Sequence, residues 1–129
     1  MLMPIPANKR IVPAGSTPVY TATMKDHDGT ALALTQVSSI TLTVKDKDTG
    51  QVIRNAVDAK NANNVTIHAT SGLITWQTVS ADTTFVSADT EKQQETRIFT
   101  FSYVWTSGSD SLTGIEEDFF IVDRVFGAS

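Results

Sequence analysis

Two histidines, His27 and His68, are the only side chains in this sequence suited to acid–base work near neutral pH or to imidazole ligation, and no cysteine is present to supply a thiolate. His27 lies in Asp26-His27-Asp28-Gly29, which could hold a small cation. Aspartates before a glycine more often accept local backbone donors, so the tetrapeptide reads as a solvated turn. His68 falls on the polar face of an alternating stretch and reads as a surface imidazole. Asp46-x-Asp48-x-Gly50 opens like a calcium loop. Glycine stands at its fifth position, however, and no bidentate glutamate follows at the required spacing. Glu116, Glu117 and Asp118 are consecutive, and neighbours on a strand point to opposite faces, so they do not form a catalytic pair and are expected to solvate the start of the last strand. A Gly-x-Ser-x-Gly elbow, a phosphate-cradling glycine loop and a zincin motif are all missing from the sequence. The expectation is a chain that is not an enzyme, with no catalytic, cofactor-binding or metal site and no cofactor.

A second kind of chemistry is offered by Phe99, Phe101, Tyr103 and Trp105, where every second residue is aromatic. Four rings on one strand face could make a stacking platform for sugars or for another protein. The opposite face carries Ile98 and Val104, so a central strand covered on both sides and filling a core is the expected arrangement. Trp105, beside the turn, is the candidate rim aromatic, and Trp76 is a second core ring.

The elements that must position these residues are strands. Threonine, serine, valine and isoleucine recur in short runs, and helix formers show no 3.6-residue period. Val19 to Lys25 alternates, with Tyr20, Ala22 and Met24 on one face. Ala31 to Leu34 restarts a short strand. Ser39 to Lys45 places Ile40, Leu42 and Val44 on one face, and after the turn Asp46 to Gly50 the segment Gln51 to Val57 returns as a hairpin. Asp58 to Asn64 is a loop. Val65, Ile67 and Ala69 alternate beyond it, and Ser71-Gly72 turns into Leu73 to Val79. The heptad echo Val79-Ser80-Ala81-Asp82-Thr83 and Val86-Ser87-Ala88-Asp89-Thr90 reads as a crossing loop with at most one helical turn. Thr96 to Thr106 is the strongest strand, Ser107 to Asp110 the turn after it, and Gly114 to Val125 the last strand.

This pattern predicts an all-β, antiparallel β-sandwich of immunoglobulin-like type with about seven to eight strands. A chain of 129 residues that is 40% hydrophobic suffices for one core. We expect a single sandwich domain over residues 11–129 and an interaction arm over residues 1–10. In that arm Leu2, Met3 and Ile5 are the candidate assembly contacts, kept out of helix and central strand by Pro4 and Pro6. The net charge of −4, with scattered basic residues, argues against a nucleic-acid partner. The amino-terminal stretch lacks the basic leader of a signal peptide, and no later run approaches the roughly 20 apolar residues of a spanning helix, so a soluble protein without a membrane partner is expected.

The order of residues resembles a phage-associated immunoglobulin-like module, similar to the amino-terminal domain of upper baseplate proteins in tailed phages. The likeness runs through Gly15-Ser16-Thr17-Pro18-Val19-Tyr20, Met24 to Gly29, Ile40 to Asp46 and Gly72-Leu73-Ile74-Thr75-Trp76. It closes on the aromatic strand Phe99 to Trp105 and on Glu117 to Val122. Ser16 replaces the usual acidic residue, and Glu95-Thr96-Arg97 replaces the Gly-x-Tyr expected before the aromatic strand. The resemblance implies a virion structural protein made in the host cytoplasm and placed on the baseplate, neck or capsid surface. Its expected partners are other virion proteins and copies of itself. The alternative is a carbohydrate- or receptor-binding module, marked by exposed aromatics beside a loop cluster.

Overall fold

The computed structural model describes residues 11–87 and 91–124. Its strands are β1 (Ile11–Pro13), β2 (Val19–Thr23), β3 (Val37–Asp46), β4 (Val52–Asp58), β5 (Val65–Ile67), β6 (Leu73–Gln77), β7 (Gln94–Ser107) and β8 (Asp110–Asp123). A five-stranded sheet runs in the order β1-β8-β7-β3-β4 and a three-stranded sheet in the order β2-β6-β5. Packed face to face, they form the expected all-β sandwich, and the strand order is immunoglobulin-like. One pairing departs from the antiparallel expectation. β1 lies parallel to β8, with Ile11 beside Ile121 and Pro13 beside Asp123. Among the described residues no helix is long and apolar enough to cross a membrane.

The alternating faces predicted from sequence form the core. Tyr20, Ala22 and Met24 of the smaller sheet's side and Ile40, Leu42 and Val44 of the larger are buried, and Trp76, Phe99, Phe101 and Phe120 fill the space between. Tyr20 stacks on Phe120 with centroids 4.9 Å apart, and Trp76 lies 5.3 Å from Phe99, so aromatic contacts tie one sheet to the other.

Turns fall where Asp and Gly were read. Asp26 Oδ1 accepts the amides of Asp28 and Thr30, each at 2.9 Å, and Gly29 takes a left-handed φ. β7 and β8 join through two residues, Gly108 and Ser109, between the paired Ser107 and Asp110. Gly108, at φ 63, supplies the positive φ that such a tight hairpin needs at its first central position.

Three expectations need correction. Ala31 to Leu34 does not form a strand: Ala31 makes a single bridge to Lys25, and a 3-10 turn over Leu34–Gln36 follows. The Gln36 side chain accepts the Ala33 amide at 2.8 Å, closing the chain into a turn. β8 begins at Asp110 rather than Gly114, because the hairpin pairs every residue from Ser107↔Asp110 onward. Glu116, Glu117 and Asp118 therefore sit inside β8 rather than at its start. The outer face of β7 is also not covered: Ile98 and Val104 are half-buried, and no described element forms a third layer over them.

Candidate functional site

The inward face of β7 continues past its aromatic residues into two charged ones. Glu95 and Arg97 share the parity of Phe99, Phe101, Tyr103 and Trp105, and both are buried. Arg97 pairs across the sheet with Asp46 at 2.9 Å and along its own strand with Glu95 at 2.8 Å. It also donates to the Thr84 carbonyl at 2.7 Å. Glu95 accepts the Val86 and Ser87 amides at 2.9 and 2.8 Å, and Asp46 accepts the amide and hydroxyl of Thr49. A buried carboxylate is tolerable only when paired and hydrogen-bonded, and these bonds meet that condition. Arg97 Nε is buried without a partner, a cost the cluster carries.

A second pair flanks the first. Arg54, opposite Val44 on β4, grips Asp82 through two bonds of 2.6 and 2.9 Å. Asp82 in turn accepts the Val79 amide at the start of a one-turn helix, α1 (Ser80–Thr83). The crossing segment between β6 and β7, expected as a loop with at most one helical turn, is thus fastened by charge. Sequence reasoning missed these residues, although the parity of Glu95 and Arg97 with Phe99 was the signal that places them inside. The arrangement holds backbone in place. It offers no open position to a substrate.

The residues singled out in the sequence are dispersed. Trp105 is 4% exposed, with the His27 ring edge-on at 5.1 Å, so it is covered at the end of the core and is not a rim aromatic open to a ligand. His27 is otherwise exposed on its turn. His68 Nδ1 accepts the Ser71 amide at 3.1 Å, which makes that imidazole part of the turn before β6. Glu117 accepts the Thr100 hydroxyl across the outer face at 3.0 Å. Glu116 lies on the opposite face, where burial pushes its carboxyl above the usual carboxylate range and Lys25 pulls it back. The Tyr103 hydroxyl, raised by burial, donates to the Lys25 carbonyl and accepts the Lys25 amide. Among the described residues no group of three or more acidic or imidazole side chains is placed to hold a metal. Leu2, Met3 and Ile5 lie outside the described residues.

The outer face of the five-stranded sheet carries a different kind of feature. Register places Val52 beside Lys45, Lys45 beside Ile98, and Ile98 beside Phe119, while Ile11 lies beside Ile121 in the next row. Val52, Phe119 and Ile11 are exposed at 48%, 38% and 38%, and Ile98 and Ile121 are half-buried. A largely apolar band, interrupted on β3 by the exposed Lys45, therefore crosses the sheet from β4 to β1. It contains a shallow depression of about 270 Å³ lined by Lys47, Thr96, Ile98, Glu117, Asp118 and Phe119. Beyond the band the same face carries the hydroxyls of Thr41, Thr43, Thr100 and Ser102, with the exposed Ile115 beside Ser102.

No protein-family model, no curated protein and no solved structure matches this chain.

Proposed function

We propose that this chain is a non-enzymatic structural or assembly protein of a tailed-phage virion, placed on the baseplate, neck or capsid surface and acting through protein–protein contacts. The observation that carries the protein-contact reading is the apolar band on the outer face of the larger sheet. Contiguous exposed apolar residues rimmed by charge mark surfaces that another protein covers. Lys47 and Glu117 supply such a rim here, and Lys45 stands within the band between Val52 and Ile98. The sequence resemblance supplies the virion setting. Against a sugar-binding module stands the burial of the β7 ring row, which leaves none of those four aromatics free to stack on a ligand.

The arm enters this reading through its attachment point. Residues 1–10 lead into Ile11, itself an exposed member of the band at the edge of the sheet. The test is to delete residues 2–10, measure the melting temperature, and quantify the chain in purified particles by mass spectrometry. The proposal expects an unchanged melting temperature and reduced incorporation. Absence of even the full-length chain from particles would overturn the virion assignment, and normal incorporation of the deletion would remove the arm from the contact.

A further inference from the structure

Lys45 is the exception within the apolar band, and its charge dictates what can cover that band. The side chain is exposed between Val52 and Ile98, and among the described residues its ammonium makes no ion pair and no hydrogen bond. A purely apolar partner laid over the band would bury that charge uncompensated, so the partner must bring a carboxylate to it. This chain carries such a group on the same face. Glu117 is exposed on β8, beside Thr100 and one row from Ile98, and it accepts the Thr100 hydroxyl at 3.0 Å. Lys45 and Glu117 stand on opposite sides of β7, about two strand spacings or 10 Å apart across the sheet, and form no ion pair within the chain.

We infer that the outer face of the five-stranded sheet packs on the same face of a second copy, about a two-fold axis that runs along β7. This rests on the protein-contact reading and names one partner for it. Such an axis lays β3 over β8 of the other copy and β4 over its β1. Lys45 then comes within side-chain reach of Glu117 of the second copy, one row away, and symmetry makes this pair twice. Ile98 faces its own mate across the axis, and Val52 lies over the strand that carries Ile11, so the two ends of the band cover each other. The two sheets keep their strands within about 30° of each other, as aligned sheets do. An axis across the strands instead sets β3 on β3 and β8 on β8, and Lys45 never meets Glu117.

The face is large enough for this. Five strands about 4.8 Å apart, and about 27 Å of β7 from Thr96 to Val104, give roughly 600 Å² per copy, so the pair clears the approximately 1,000 Å² that a specific contact needs. The contact is made by side chains and takes no backbone group from any strand edge.

Charge provides the test. In sedimentation, the full-length parent should associate with rising concentration. Lys45→Glu and Glu117→Lys each set like charges together twice in the pair, and each should weaken association roughly tenfold or more. An equimolar mixture of the two variants should associate as the parent does, because a mixed pair restores opposite charges at both contacts. Both side chains are exposed, so both variants should melt close to the parent. A parent that stays monomeric at about 1 mM, a variant that associates as the parent does, or a mixture no stronger than its components overturns the inference. Any of these, in a chain that particles still retain, leaves the protein-contact reading standing. The expected dimer in a chain absent from particles does the reverse, upholding the inference and overturning the virion assignment.

Discussion

Two stretches of one strand face, Phe99 to Trp105 and Glu95 to Arg97, are both buried by β7 and hold the sandwich by opposite physics. The aromatic stretch gains from removing apolar surface from water, and its ring contacts are tolerant of angle. The ionic stretch costs free energy to desolvate and recovers it only through directed bonds to Asp46, Thr84, Val86 and Ser87. The first joins the two sheets. The second fastens the crossing segment between β6 and β7 to the end of the core, so position along one strand decides whether a side chain packs or clamps.

Truncation separates the two. Phe101→Ala should cost about 3 to 5 kcal/mol through the cavity it leaves, measured by urea unfolding, a large share of a domain's marginal stability. Arg97→Ala should cost about as much, because Asp46 and Glu95 would be left as uncompensated buried charges. The contrast lies in repair. Replacing Asp46, Glu95 and Arg97 together by Leu, Leu and Met should restore most of the stability lost in Arg97→Ala, while freeing the Val86 and Ser87 amides and exposing the crossing segment to protease. A triple variant as unstable as Arg97→Ala would show that the cluster works by shape rather than by compensated charge.

A smaller effect is expected at Gly114, where an added Cβ would lie 2.4 Å from Tyr103 Cε2. Gly114→Ala should cost about 1 to 3 kcal/mol, as overpacking does, and should disturb the near-ultraviolet signal of Tyr103. Glu116→Gln should be smaller again and opposite in sign. Because burial raises the folded-state pKa of Glu116, the native state holds its proton more tightly, and stability falls as pH rises from the usual glutamate value through the raised one. The Gln variant should therefore melt slightly higher than the parent at neutral pH, with the difference vanishing in acid. Least of all, replacing both His27 and His68 by Gln should change stability by no more than about 0.5 kcal/mol and leave particle incorporation intact.

Much of the fold was legible because alternation and turn chemistry are local. The parity of Tyr20, Ala22 and Met24, of Ile40, Leu42 and Val44, and of Phe99 to Trp105 gave the inward faces directly. Asp26 to Gly29 and Asp46 to Gly50 gave the turns. The parallel pairing of β1 was not legible, since three residues choose their neighbour by tertiary contact alone. Nor was the turn at Ala31 to Gln36, where chain reversal and a Gln36 cap outweigh strand propensity. The ionic clamp was hidden by its own residue types. Glutamate and arginine usually face solvent, and only the partner Asp46, brought to Arg97 by β3 from 51 residues away in sequence, makes their burial tolerable. The apolar band was equally non-local, being assembled from one or two residues each on β1, β4, β7 and β8.

The account stands most directly on that band. The measurement is the amount of chain retained in purified particles when Ile11 and Val52 are both changed to Lys, with the melting temperature followed in parallel. Both side chains are exposed, so the protein-contact account predicts a melting temperature close to the parent's and a large fall in retention. Retention equal to the parent's, with the variant folded, would contradict it.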